Sequence, residues 1–181
     1  MTIFSDLQTK LDEWLQAQDD YQRRSITFMV EFATAFRSYI DAPETYIDFQ
    51  TKQSLWYVQP VMAGADKDGI YSFEIAPSAE DLLLKDDEGY WITALQFTID
   101  RQPAALKKLY FWYLIRFVLR HDFCEMHIGF DKKQFRFRPN EIATQHTAFH
   151  YMVTLVNDVF ALKPWEAPKK GTIGFVKFGT S

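Results

Sequence analysis

Chemistry needs side chains of the right type at the right spacing, so His146 and His150 come first. Four residues apart, they share one side of a helix and have the spacing of a metal-ligand pair. The residues between them are Thr-Ala-Phe, without the glutamate of a zinc protease motif, and nothing in the sequence supplies a third ligand. Asp66-Lys-Asp-Gly69 resembles the start of a calcium loop, but the twelfth position, where a glutamate belongs, is Pro77. Asp86-Asp-Glu88 reads as a solvated acidic loop, and Gly171-Thr-Ile-Gly174 lacks the strand and helix that a phosphate loop sits between. Cys124 alternates with Met126, Ile128 and Phe130, which is the pattern of a core cysteine and not of a nucleophile. Lys132, Lys133, Arg136 and Arg138 form the one local basic cluster, fit to guard an exposed sheet face or to meet an acidic partner segment. The reading is of a chain with no catalytic residues, no cofactor and no metal.

Composition narrows the class. At 181 residues and 48% hydrophobic, the chain is long and apolar enough for one domain with a substantial core. A net charge of −4 argues against nucleic acid and against an anionic membrane surface. One cysteine excludes an internal disulfide and suits a reducing compartment. Met1–Asp6 has neither the basic start nor the apolar core of a signal peptide, so the expected location is cytoplasmic.

The elements that must position these residues follow from periodicity. Ser5-Asp-Leu-Gln8 opens a helix whose stripe is Leu7, Leu11, Trp14 and Leu15. Asp19-Asp20 divides it from a second helix striped by Ile26, Met29, Ala33, Phe36 and Ile40, so the N-terminal helices span 5–41. Strands are predicted at Tyr46–Phe49, Ser54–Met62, Ile70–Ala76 and Tyr90–Ile99, with a helical turn near Leu82–Leu84.

Pro103–Arg120 reads as a helix apolar nearly all round, and therefore as one covered on more than one side. Phe123–Phe130 and Gln134–Arg138 form a hairpin, with Phe130 opposite Phe135 if Lys132-Lys133 is the turn. A last helix starts near Asn140, with a stripe through Ile142, His146, Phe149, Val153, Val156 and Phe160. Residues 163–181 form a tail, in which Gly174–Phe178 suits a short strand. The expected fold is therefore α+β in the order α-β-β-β-α-β-β-α, a single domain over 1–181 whose antiparallel sheet has about five strands.

This element order resembles the secretion-chaperone-like fold of class I type III secretion chaperones and YbjN-like proteins, over roughly residues 20–162. An uncharacterised group of cyanobacterial and plastid proteins with this fold would be a natural home for a chain longer than the usual chaperone. In that family the middle helix packs on the sheet and its outer side builds a two-fold dimer. The resemblance implies a sheet face of Phe111, Leu114 and Val118 and a dimer face of Leu109, Trp112, Tyr113, Arg116 and Leu119. It implies a protein-binding or chaperone-like homodimer with an unknown protein partner. The N-terminal helix pair and the tail depart from the usual chaperone and would cover the sites a chaperone leaves open. A second reading is a small-molecule binder or enzyme with a pocket lined by Trp56, Tyr57, Trp91 and His127. A third has the acidic 80–88 loop docking on a basic partner.

Overall fold

The computed structural model describes residues 3–48, 51–65, 71–100, 108–129, 132–162 and 174–178. It opens with one helix, α1 (Ile3–Tyr39), of 37 residues. The expected break at Asp19-Asp20 does not occur, because neither aspartate removes a backbone donor or forces a non-helical φ as proline or glycine would. The helix ends where Asp41 takes a φ of 52° and the Ala42 amide donates back to the Arg37 carbonyl, a left-handed closure.

Among the described residues ten strands follow: β1 (Thr45–Ile47), β2 (Ser54–Trp56), β3 (Val58–Ala65), β4 (Tyr71–Glu74), β5 (Leu84–Lys85), β6 (Trp91–Asp100), β7 (Lys108–Leu119), β8 (Cys124–Ile128), β9 (Lys133–Phe137) and β10 (Gly174–Phe178). A short 3-10 turn at Glu80–Leu82 precedes β5, and α2 (Ile142–Ala161) lies between β9 and β10. The α+β class and the antiparallel sheet hold. The sheet is larger than expected, with eight strands in the order β4-β3-β6-β7-β8-β9, plus β5 on β6 and β10 on β7. The pair β1-β2 stands apart from it.

The middle helix is replaced by a strand. Residues 108–119 form β7, the longest strand, paired with β6 from Lys108 through Phe117; residues 103–107 lie outside the described residues. On the other edge of β7, β8 takes the C-terminal half and β10 the N-terminal half. A strand with neighbours on both edges and cover on both faces reads as a continuous apolar run, and that also describes an all-round apolar helix.

Successive β7 side chains point to opposite faces. Phe111, Tyr113, Ile115 and Phe117 enter the main core, where α1 contributes Phe28, Phe32 and Phe36 and α2 contributes Phe149, Met152 and Val156. Tyr110, Trp112 and Leu114 take the far face, packing with Val61, Ala63, Phe73, Ile92 and Ala94. In a flat sheet β4 and β7 would lie about 14 Å apart, three strand spacings. Instead the Phe73 ring stacks on Trp112 at 5.9 Å. The β3-β4 hairpin therefore curls over the far face. Small side chains permit that close approach: Ala63 and Ala94 are almost fully buried. Pro60 suits a stretch of β3 whose outer edge lies beyond the reach of β4.

The β8-β9 hairpin pairs Ile128 with Lys133, Met126 with Phe135 and Cys124 with Phe137. The expected register was offset by an even number of positions, so the same side chains still face the core. Phe130 lies outside the described residues, and the chain reverses through Gly129 and Lys132, both at positive φ. Among the described residues no helix is long and apolar enough to cross a membrane.

Candidate functional site

The five residues expected to form one dimer face do not share a face, because their element is a strand. Leu109, Tyr113 and Leu119 point toward the helices. Tyr113 is fully buried and its hydroxyl donates to the Met152 carbonyl at 2.9 Å; burial pushes that hydroxyl's pKa well up. Trp112 and Arg116 point the other way, Trp112 under the hairpin. Trp112 is only 9% exposed and stacks between Phe73 and Tyr110. A partner could not reach it without lifting the hairpin.

Arg116 is likewise engaged. Its Nε donates to Asp86 Oδ2 at 2.6 Å and its Nη2 to Glu88 Oε2 at 2.7 Å, while the guanidinium lies 3.8 Å over the Tyr90 ring. Burial raises the Asp86 pKa, but Arg116 and the amides of Tyr90 and Glu88 outweigh it and hold the carboxyl below its ordinary value. The 80–88 segment thus carries an intramolecular clamp. Next to it Tyr90 donates to Glu125 at 2.7 Å, the main reason the Glu125 carboxyl also lies low.

The four residues expected around an aromatic pocket are dispersed. Trp56 is exposed on β2, and Trp91 stacks on Tyr21 in the main core. His127 sits on the far face, its Nε2 3.6 Å from Glu125 Oε1. A far-face cavity of about 220 Å³ lies between Tyr71, Ile92, Leu114, Arg116, His127 and Lys132. That is below the roughly 300 Å³ at which small-molecule sites begin.

Tyr57 belongs to a buried polar latch. It donates to Asp100 Oδ2 at 2.8 Å, and Asp100 forms an ion pair with Lys108 in which both side chains are almost fully buried. The Lys108 ammonium lies 4.2 Å from the centre of the Tyr46 ring. Burial and the Asp100 carboxylate push the Tyr57 hydroxyl up to about 12. The latch ties the β1-β2 pair to the last residue of β6 and the first of β7. Its charges are compensated, so its role is to hold structure.

The remaining candidates resolve simply. Cys124 is fully buried, and burial pushes its thiol far above the ordinary range. His146 and His150 are exposed on α2, and His146 lies against Tyr39. Among the described residues no group of three His, Cys, Asp or Glu side chains could hold a metal. Arg136 covers the Phe123 ring and Arg138 pairs with Glu141, so half of the basic cluster is engaged locally. Asp66–Gly69 and Gly171–Ile173 lie outside the described residues.

One surface stands out. The C-terminal half of α1 buries its apolar stripe on the sheet, but the N-terminal half runs past the end of β7, and residues 6–20 are all exposed. Ile3, Phe4, Leu7, Leu11, Trp14 and Leu15 are bare, with Phe4 at 68% and Trp14 at 56% exposure. Four of the six, Leu7, Leu11, Trp14 and Leu15, are the stripe of the expected first helix. Because the helix is unbroken, Phe4, Leu7, Leu11, Trp14, Gln18, Tyr21, Ser25, Phe28 and Phe32 follow one seven-residue repeat. The first half thus continues the line along which the second half packs. The repeat is visible in the sequence once no break is placed at Asp19. No protein-family model, no curated protein and no solved structure matches this chain.

Proposed function

We propose that the protein is a protein-binding module whose docking element is the projecting half of α1, residues 3–20, which takes the apolar face of a partner's helix. The observation that carries this reading is the row of six exposed apolar side chains on one side of a helix whose other half uses the same row as core. Fully burying one such side chain contributes about 1.5–3 kcal/mol, so a row of them offsets much of the entropy an association loses. Isolated exposed apolar residues are ordinary; an aligned set on a projecting helix marks an interaction site. Helix-in-groove and helix-on-helix recognition use this i, i+3, i+4, i+7 spacing. The same proposal places the protein in the cytoplasm, where a lone buried thiol needs no oxidising partner.

Dimerisation through residues 103–120 has no place in this reading, since both faces of β7 are covered. A photo-crosslinking residue at Leu11 or Trp14 tests the docking element in cells. One discrete protein adduct from those two positions, and none from Glu13 behind the stripe, is expected. The trapped protein, purified, should bind the intact chain and not the Leu11→Glu/Trp14→Glu variant. Adducts no stronger from Leu11 than from Glu13 sink the proposal.

A further inference from the structure

We infer that the occupant of this stripe is a basic amphipathic helix of another protein; the inference rests on the docking reading above and adds the chemistry of the partner. Between residues 3 and 20 stand Asp6, Asp12, Glu13, Asp19 and Asp20 against a single cation, Lys10, a net of −4. That equals the formal net charge of the whole chain, so the body from Tyr21 onward is neutral overall. The imbalance is concentrated on the one segment that presents bare apolar side chains.

At 100° per residue, Asp12 and Asp19 border the stripe on the Leu15 side. Asp6, Glu13 and Asp20 lie behind it, and Lys10 borders the Trp14 side. A partner with Lys or Arg beside its own apolar seam meets Asp12 and Asp19 directly and the remaining acids through their field. Complementary charge speeds encounter and fixes register, while the seam supplies most of the affinity.

A second copy of this chain fits less well. Antiparallel pairing that sets Leu11 opposite Trp14 of the other copy also brings Asp6 toward Asp19 and Asp12 toward Glu13, like charge against like. Parallel pairing places Lys10 opposite Leu15, and no acid–base pair forms across the seam. Two such helices add to −8, and their apolar rows run fewer than three heptads, a marginal length for a self-standing coiled coil.

The test uses the full chain and two synthetic three-heptad peptides, identical in their leucine seam, one flanked by lysine and one by glutamate. Fluorescence anisotropy at low salt should show the lysine peptide binding at least about tenfold more tightly than the glutamate peptide. Raising the salt to about 0.5 M should remove most of that difference. Asp12→Asn/Asp19→Asn should weaken the lysine peptide several-fold, and Leu11→Glu/Trp14→Glu should abolish its binding. Circular dichroism and thermal unfolding should match wild type for both variants, because the altered side chains are exposed.

Equal binding of the two peptides overturns the inference and leaves the docking reading standing. Absence of binding by the lysine peptide also overturns it. A lysine peptide that binds the Leu11→Glu/Trp14→Glu variant undiminished shows attraction by charge alone, and overturns it as well. A stable dimer by light scattering that Trp14→Glu splits would assign the stripe to a second copy instead.

Discussion

At the scale of single residues, the buried charges set the terms. Lys108 and Asp100 are withdrawn from water together, and each compensates the charge of the other. Lys108→Met leaves the Asp100 carboxylate with the Tyr57 hydroxyl alone and should cost about 3–5 kcal/mol in urea unfolding. The double variant Lys108→Met/Asp100→Leu should recover much of that loss; if it does not, the latch contributes more than charge compensation. The Arg116 clamp gives a different signature. Asp86 has a folded-state pKa below its unfolded one, so the stability it lends is present above the ordinary carboxylate range and is lost as pH falls through the folded value. Stability should decline below about pH 4, and the decline should be shallower in Arg116→Met, measured as unfolding midpoint against pH. None of this pairing was legible beforehand. Arg116 is separated in sequence from Asp86 by 30 positions and Lys108 from Asp100 by eight; the β6-β7 register sets Lys108 opposite Asp100, and that register together with the β5-β6 pairing brings Asp86 to Arg116.

At the scale of elements, β7 shows where periodicity stops informing. Its near face, Phe111 through Phe117, needs the helices, and its far face, Tyr110 through Leu114, needs the curled hairpin. With both faces dry, the two-residue alternation that marks a half-exposed strand vanishes. The remaining signal was composition: Tyr, Phe, Trp, Ile and Val favour strands, but the 12-residue length favoured a helix. Most other strands were legible because one side is wetter or turn residues bound them, as in the pattern of β8 and β9; β2 and β3 read in sequence as one strand, and β5 as part of a helical turn. The structure also changes what Trp112 is expected to do. A residue on a dimer face could take a charge without harm to the fold, whereas Trp112 holds the hairpin through Phe73. Trp112→Ala should cost about 3–5 kcal/mol, and the loss should appear in denaturant unfolding of the chain. Phe73→Ala should destabilise by a smaller amount, and the double variant should cost less than the sum, since the two rings share one contact. Strict additivity would mean that the hairpin is held elsewhere.

At the scale of the whole molecule, the chain is a neutral body with an acidic rod. The body has two cores, one on each face of a single sheet, and neither includes the first half of α1. Tyr21 is the first α1 residue packed into the main core, against Trp91, and its hydroxyl accepts from the Leu119 amide. Removal of residues 1–20 should therefore change folding stability by less than about 1 kcal/mol, as expected for side chains that are already exposed. It should change solution behaviour strongly. The segment carries five acids and one lysine, so the truncated chain has a formal net charge of zero at pH 7. Proteins near zero net charge associate and precipitate more readily. The same deletion, however, removes six exposed apolar side chains, which by themselves promote association. The two effects separate by pH. If charge dominates, turbidity of the truncated chain peaks near neutrality and clears on either side. If the apolar row dominates, the full-length chain is the less soluble at every pH. Peptide binding should vanish in the truncated chain in both cases, while its thermal unfolding remains cooperative. A loss of cooperativity would place residues 3–20 inside the fold and remove the ground for reading them as a docking element.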